Sequence, residues 1–286
     1  MSARTDIKSL TTEEAGRIRG AFLAGRLVVS GNKLSTKLLS LTAAVELAGY
    51  LAQAGGTASE AQSALAPFVH GCPRFEAANQ ILQGHQQEAA VILDGHEIEL
   101  RRIGKMDSAD VEWNDFLQRF SDALIRHSVD RKYARTLAMS LHEMADNVLQ
   151  HAAENGNAVP RNVAGWHAFQ GGAAFVVLDL GRGIRRSLAD NPQWSNLASD
   201  RESLRMILRK HATRRTGLAE GNGFKDVVKN FVERNGVLRI RTGTCEVVAE
   251  GTLADSRERY VALPDFIGTR ASAWCRPYRE GAGDEP

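Results

Sequence analysis

Three side chains that could do chemistry, those of Glu143, Asn147 and His151, recur every four positions in the stretch LAMSLHEMADNVLQHA. An α-helix turns about 100° per residue, so these three fall within one sector of its surface. The opposite side carries the apolar residues Leu137, Leu141, Met144, Ala145, Val148 and Ala152. The spacing therefore predicts a helix with one face in a core and another that aligns a carboxylate, an amide and an imidazole. A polar helix face in contact with water is the alternative interpretation.

A second carboxylate, that of Asp179, lies at the end of the apolar stretch AAFVVLDL, which predicts a buried strand. The chain continues with Gly181 and Gly183. Alternating glycines let the backbone approach a flat ligand while the aspartate accepts a hydrogen bond, and an exocyclic amine is one fitting donor. The same pattern also describes an ordinary turn from a strand into a loop.

A further glycine pair, Gly221 and Gly223, precedes a helix predicted to begin near Phe224. Free backbone N–H groups at a helix N-terminus suit phosphate, and Arg214 and Arg215 on the preceding loop could add positive charge. A flexible loop with a glycine hinge is the alternative. The pattern is not a Walker loop, because G-x-x-x-x-G-K-[ST] occurs nowhere in the chain.

Composition narrows the class of protein. With 286 residues, 43% of them hydrophobic, the chain can bury a substantial core in one or two domains. A net charge of +2 is too mild to favour nucleic acid or a membrane surface as the partner. No apolar run approaches the roughly 18 residues of a membrane helix, and the start lacks a signal-peptide pattern. Three distant cysteines, Cys72, Cys245 and Cys275, favour a reducing compartment and roles as small packing residues. We therefore expect a soluble, cytoplasmic protein.

The first part of the chain, residues 1–108, is predicted to be a small mixed α/β domain. Helical spacing covers residues 13–25 and 34–54, and one or two short helices fall within 59–84. Asp94 and Gly95 between alternating apolar runs predict a β-hairpin. The polar segment 104–110 is the predicted boundary, and no function is assigned to the part before it.

The second part, residues 109–276, must position the polar residues described above. Its pattern predicts helices over 111–129, 130–152, 200–211 and 224–236, and strands over 163–170 and 173–180. Three more strands are predicted over 237–243, 245–251 and 259–264, with a candidate fourth over 269–275. Residues 277–286 are predicted to form a loose tail.

Taken in order, the motifs of this second part resemble those of the GHKL ATPase family, whose ATP-binding domain is also called the Bergerat fold. They are E-x-x-x-N-x-x-x-H-A from Glu143, D-x-G-x-G-I from Asp179, G-x-G-F from Gly221 and a late F-x-G-T ending at Thr269. The resemblance implies a two-layer α+β sandwich, with a mixed β-sheet and helices on one face, preceded by the small N-terminal domain.

The resemblance also implies two cofactors, ATP and Mg²⁺, held in part by the central helix. Asn147 corresponds to the family's ligand of Mg²⁺, a cation that prefers oxygen ligands and bridges phosphates. Glu143 corresponds to the general base, which orients water or a substrate hydroxyl for attack on the γ-phosphate. His151 is expected to be a helix-end or packing residue rather than a catalyst.

The remaining motif residues correspond to the base and phosphate contacts of the family. By this resemblance, Asp179 accepts from the adenine amino group, and Thr269 supports it through water. Gly181 and Gly183 flank the base. Gly221 and Gly223 end the mobile lid and present backbone N–H groups to the phosphates, with Arg215 and Lys225 as candidate phosphate contacts.

Within the family, the stand-alone serine kinases of the anti-sigma-factor type are the nearest match. No phosphoacceptor-histidine helix and no transducer domain is predicted, and the second glycine box reads G-x-G-F as in those kinases. A short predicted lid, residues 213–220, and the N-terminal part depart from their minimal pattern. The favoured function is an ATP- and Mg²⁺-binding regulator that phosphorylates a protein partner on serine or gates its binding. The alternatives are an ATPase that drives a conformational switch and a non-catalytic nucleotide-binding module. A protein partner is expected, a homodimer is open, and membrane or nucleic acid is not expected.

Overall fold

A computed structural model describes residues 40–53, 69, 71–93, 95–104, 110–152, 160–170, 172–209, 212, 227, 236–252 and 255–275. No helix within those ranges is both long enough and apolar enough to cross a membrane. Several predictions fall outside them: the helix over 13–25, the lid, Gly221 and Gly223, most of the helix over 224–236, and the tail.

One six-stranded antiparallel sheet organises the described chain. Its strands are β1 Glu88–Leu93, β2 His96–Arg101, β3 Asn162–Phe169, β4 Gly172–Asp179, β5 Val237–Thr252 and β6 Asp255–Cys275. They lie in the order β1-β2-β3-β4-β6-β5, and each neighbouring pair is antiparallel. The α+β class is therefore confirmed, whereas the expectation of a mixed sheet is wrong. Three of the five pairings are hairpins between consecutive strands, and a hairpin can only be antiparallel.

The C-terminal strands also differ from the prediction, because four short strands are in fact two long ones. Pairing is continuous on both sides of an irregularity around Gly243, which has a φ of 50°. Pro264 lies in the same interruption of the ladder, where its missing N–H costs no pairing. Glycine and proline read as strand ends in the sequence, but here they mark a bulge.

Six α-helices and one 3₁₀ turn complete the described fold. The helices are α1 Leu41–Gln53, α2 Pro73–Leu82, α3 Val111–Arg126, α4 Arg131–His151, α5 Gly183–Leu188 and α6 Asp200–Arg209, and the 3₁₀ turn is Pro192–Trp194. Asp110 and Asp130 cap α3 and α4, because each side chain accepts a hydrogen bond from a backbone N–H three residues later. The helix start predicted near Asp130 is confirmed.

Helices cover both faces of the sheet, so the expectation of helices on one face is wrong. On the front face, α3, α4 and α6 enclose a core that includes Phe175 and Val177. On the back face, α1 and α2 enclose a second core that includes Val176 and Leu178. Successive residues of a strand point to opposite faces, and β4 is apolar on both. Such a strand needs cover on each side.

The described parts of the two predicted domains share this sheet. Strand β2 pairs with β3, so the hairpin predicted at Asp94 and Gly95 extends the sheet beyond the boundary at 104–110. Helix α1 packs against β4 from the back. Residues on both sides of the boundary thus contribute to one core, which differs from the expectation of a separate N-terminal domain.

Helix α4 has the two faces that its sequence predicts. All six residues of the predicted apolar face are buried: Leu137, Leu141, Met144, Ala145, Val148 and Ala152. Glu143, Asn147 and His151 are each partly exposed. The three cysteines are also buried with free thiols, which confirms their packing role.

Candidate functional site

Asp179 is a buried carboxylate at the end of β4, only 3% exposed. The backbone N–H of Gly181 donates to its Oδ1 at 2.8 Å, and the hydroxyl and N–H of Thr269 also donate to the carboxylate. Burial raises the pKa of Asp179 to about 7, and these hydrogen bonds only partly oppose the rise. The group therefore exchanges a proton near neutral pH.

Strand register brings Asp179 and Thr269 together, since the two are partners in the β4–β6 pairing. Gly268, the residue before Thr269, has a φ of 100°, a conformation that favours glycine. A Cβ at Gly268 would overlap the carbonyl oxygen of Asp179. The strand pair can close around the carboxylate only because this position has no side chain.

The two glycines that follow Asp179 allow a similarly close approach. A Cβ at Gly181 would overlap the carbonyl oxygen of Ala152, the residue after α4. Gly183 has a φ of 76°, and a Cβ there would lie 2.9 Å from Oγ1 of Thr242. The motif glycines thus place the loop after β4 between the end of α4 and strand β5.

A cavity of about 480 Å³ adjoins this loop. Residues 181–183 and 267–268 form part of its lining, together with Arg185 and Arg186 on α5. Gly183, Gly243 and Gly268, all with positive φ, border the same space. The predicted contacts Gly181 and Gly183 therefore share one cavity, whereas Asp179 and Thr269 lie beside it rather than in its lining.

Glu143 and Asn147 lie on α4, apart from that cavity but on the helix that reaches its loop. The Nδ2 of Asn147 donates to the carbonyl oxygen of Glu143 at 2.7 Å. Neither Oδ1 of Asn147 nor the Glu143 carboxylate bonds to a residue that the structure describes. Asn147 is five residues before Ala152, so it lies about 7.5 Å further along the helix axis from the glycine loop.

His151 takes part through its backbone, because its carbonyl oxygen accepts from Nε of Arg182 at 3.2 Å. The guanidinium of Arg182 also pairs with Asp190 at 2.5 Å. Arg182 was not among the predicted residues, yet it ties the glycine loop to the end of α4. In the sequence, only its position between Gly181 and Gly183 could have indicated this role.

Thr242 is another residue that the sequence did not single out. Its hydroxyl donates to the carbonyl oxygen of Gly268 at 3.1 Å and accepts from the N–H of Ile184 at the same distance. It thus joins the loop after β4 to strand β6. Thr242 is opposite Thr269 in the β5–β6 pairing, and a pairing across strands cannot be read from one sequence.

Behind these threonines lies a set of four charged side chains that are at most 1% exposed. We call Glu46, Arg241, Glu246 and Arg270 the buried ion cluster. Glu46 pairs with both arginines, and Glu246 pairs with Arg270. Burial lowers the pKa of Arg270, but the two carboxylates more than offset this, so the pKa is raised and the group stays charged. In the sequence, the arginines within the apolar patterns of β5 and β6 were the signal that could have indicated this cluster.

The oxygen atoms that the described residues offer could hold Mg²⁺ only if a bound phosphate ligand supplied further oxygens. They contain no group of three or more His, Cys, Asp or Glu side chains that could hold a metal ion. The amide oxygen of Asn147 and the carboxylate of Glu143 are hard oxygen donors without a described hydrogen-bond partner. Mg²⁺ is usually coordinated by one or two protein oxygens, and phosphates and water complete its coordination shell.

No protein-family model, no curated protein and no solved structure matches the chain. The resemblance to the GHKL ATPases therefore rests on the order of the motifs in the sequence.

Proposed function

We propose that this chain binds ATP with Mg²⁺ and acts on a protein partner as a regulator, with serine phosphorylation of the anti-sigma-factor type as the favoured activity. The observation that carries the proposal is the buried carboxylate of Asp179, held by Gly181 and Thr269 next to a glycine-lined cavity. We also propose that the front helices and the sheet are a variant of the Bergerat fold, extended by β1, β2 and the back helices.

Asp179 is suited to select adenine. An ionised carboxylate can accept roughly four hydrogen bonds, and three donors already orient this one. The remaining position accepts from the exocyclic amine of adenine, whereas guanine and hypoxanthine present a carbonyl there. A buried acceptor left without its donor is costly, so this contact discriminates strongly. Gly181 and Gly183 line the cavity beside the carboxylate, which is where the flat base would lie.

The residues that would hold the triphosphate and its Mg²⁺ lie on α4, with Asn147 nearer the glycine loop and Glu143 one turn further from it. Oδ1 of Asn147 is the residue atom that would hold Mg²⁺, which supplies neutralisation of phosphate charge when bound. The hydrogen bond from Nδ2 to the helix backbone fixes the amide so that Oδ1 faces away from the helix. One turn earlier, the Glu143 carboxylate orients the attacking hydroxyl and accepts its proton.

A first experiment tests nucleotide binding by calorimetry with ATP and Mg²⁺. We expect saturable binding by the wild-type protein and an affinity lower by roughly 10- to 100-fold in D179N, because a hydrogen bond to a charged acceptor is lost. The matched control is D122N, the same substitution on the exposed side of α3, where Gln118 is the one donor to Asp122 among the residues that the structure describes. Absence of binding by the wild-type protein would overturn the proposal.

A second experiment separates the activities, using radiolabelled ATP with and without proteins that bind the wild-type chain. Label on a serine of a bound protein supports the kinase, and free labelled phosphate without transfer supports the ATPase. Binding of ATP without either supports the non-catalytic module. E143A should keep ATP binding and lose turnover by roughly 10²- to 10⁴-fold, because it removes only the base.

A further inference from the structure

Helix α1, from the N-terminal part without an assigned function, lies directly behind residues 265–270, which we call the site wall. The site wall borders the cavity and carries Thr269. Gly49 of α1 makes the approach close, since a Cβ there would lie 3.0 Å from Cδ1 of Leu178 and 3.7 Å from the ring of Phe266. Helix and wall therefore meet with little space between them.

Gln53, the last residue of α1, holds the backbone of the site wall at Ile267. Its Nε2 donates to the Ile267 carbonyl oxygen at 3.0 Å, and its Oε1 accepts from the Ile267 N–H at 3.4 Å. One amide side chain thus satisfies both backbone groups of a single residue. Such a paired contact fixes the position of the wall along the helix as well as its distance from it.

Glu46, two turns earlier on α1, holds the base of the site wall through the buried ion cluster. Its carboxylate pairs with Arg241 and Arg270, and it also accepts from the Tyr50 hydroxyl at 2.9 Å. Arg241 in turn donates to the carbonyl oxygen of Pro264 at 2.7 Å, just before the wall begins. The wall is therefore tied to α1 at both of its ends and in its middle.

The two arginines alternate with the two threonines of the site. Arg241 precedes Thr242 on β5, and Arg270 follows Thr269 on β6. Neighbouring side chains on a strand point to opposite faces. On each of the two strands, the arginine therefore contacts α1 on the back, while the neighbouring threonine directs its hydroxyl toward the glycine loop or Asp179 on the front.

From this geometry we infer that α1 positions the nucleotide site, with Glu46 and Gln53 as positioning residues that set the site wall and thereby the contact between Thr269 and Asp179. The inference rests on the proposed function, since it assigns to α1 the control of adenine selection at that site. The N-terminal part would thus contribute to nucleotide selection through α1, without contacting the nucleotide.

The test compares the affinities of full-length variants for ATP and for ITP, which lacks the exocyclic amine. The wild-type protein should prefer ATP by roughly tenfold or more, as expected when one charged hydrogen bond is removed. In Q53A this preference should fall by about threefold or more, and in E46Q it should fall further. In both variants Thr269 would no longer be held in position to orient the Asp179 carboxylate, which is the acceptor for the amine. General loss of folded protein lowers both affinities equally and leaves their ratio unchanged.

The matched control is S40A, which weakens α1 without touching the wall. The Ser40 hydroxyl accepts from the Ala43 N–H at 3.2 Å at the start of the helix. S40A should keep the wild-type ratio. A second readout needs no nucleotide: amide hydrogen exchange at Ile267 should become faster in Q53A and remain unchanged in S40A.

An unchanged ATP/ITP ratio in both Q53A and E46Q would overturn the inference while the proposed function stands. If the wild-type protein binds no ATP, the proposed function fails. Exchange at Ile267 then decides the positioning of the wall by itself, and an exchange rate in Q53A equal to that of the wild-type protein would overturn it.

Discussion

The front and back faces of the sheet are covered by different kinds of contact. On the front, the ring of Phe120 stacks on Trp166 with centroids 5.4 Å apart, and Phe116 and Trp113 continue an aromatic core. On the back, an apolar core that includes Leu47 and Phe266 is accompanied by the buried ion cluster, in which Glu46 pairs with two arginines. Apolar packing has no preferred direction, whereas ion pairs and hydrogen bonds do. Both cores therefore contribute stability, and the directional contacts on the back also define where the strands of the site lie.

The largest expected effects are on stability, and they should be similar for the two faces. F120A removes a fully buried ring and should lower the free energy of unfolding by about 3–5 kcal/mol. E46Q should cost a similar amount, about 3–5 kcal/mol, because it leaves two buried arginines without their shared carboxylate. Urea unfolding measures both.

The two faces should differ when the ATP/ITP affinity ratio is measured on the same two variants, F120A and E46Q. F120A should retain the ATP/ITP ratio of the wild-type protein, whereas E46Q should lower it. V111A is the control for the front helix, since Val111 is 68% exposed and its truncation should change stability little. Equal ratios in F120A and E46Q would remove the distinction between the faces.

The next effect concerns pH and the carboxylate of Asp179. Its pKa of about 7 in the folded protein is raised above the ordinary value of 3.8, so the folded state retains a proton that the unfolded state releases. Stability from this group is complete below about pH 4 and falls as pH rises toward 7, by up to about 4 kcal/mol. From pH 4 to 8, the wild-type protein should lose up to about 4 kcal/mol of unfolding free energy relative to D179N, whose amide does not titrate, while a constant difference would contradict the raised pKa.

ATP affinity should follow the opposite trend, because the ionised carboxylate accepts from the amine more strongly than the protonated acid does. It should weaken as pH falls below about 7 in the wild-type protein, and D179N should lack this dependence. Calorimetry at several pH values measures it.

The smallest effect is expected at the front edge, in the exposed pair between Arg126 and Glu97 at 2.5 Å. Arg126 donates to Glu97 and lowers the pKa of that carboxyl. R126A should cost roughly 0.2–1 kcal/mol at neutral pH, since water screens the pair. The loss should vanish in molar salt and as the pH falls through the lowered pKa of Glu97. A larger loss would mean that exposed ion pairs here behave like the buried ones.

Much of the local structure could be predicted from the sequence because it depends on neighbours in the chain. The hairpin of β1 and β2, the cap at Asp130 and the buried face of α4 all follow from local chemistry. Asp179, Gly181 and Gly183 were predicted together because one motif contains them, and Thr269 because it completes a second one.

What could not be predicted depends on contacts between distant segments. Nothing local to Glu46 indicates that it meets Arg241 and Arg270, which lie some two hundred positions away in the chain. Helix α1 is buried almost all round, a sign of interior position, but the sequence does not say which sheet covers it. The placement of α1 on the back of β4 also made the predicted two-layer arrangement wrong.

The three buried thiols give each face its own chemical reporter. Cys72 lies in the back core, whereas Cys245 and Cys275 lie in the front core. Burial raises the pKa of the Cys72 and Cys245 thiols, which keeps them protonated and unreactive toward alkylating reagents in the native state. The order in which the cysteines become modified during gradual denaturation therefore records which layer separates from the sheet first, without any engineered probe.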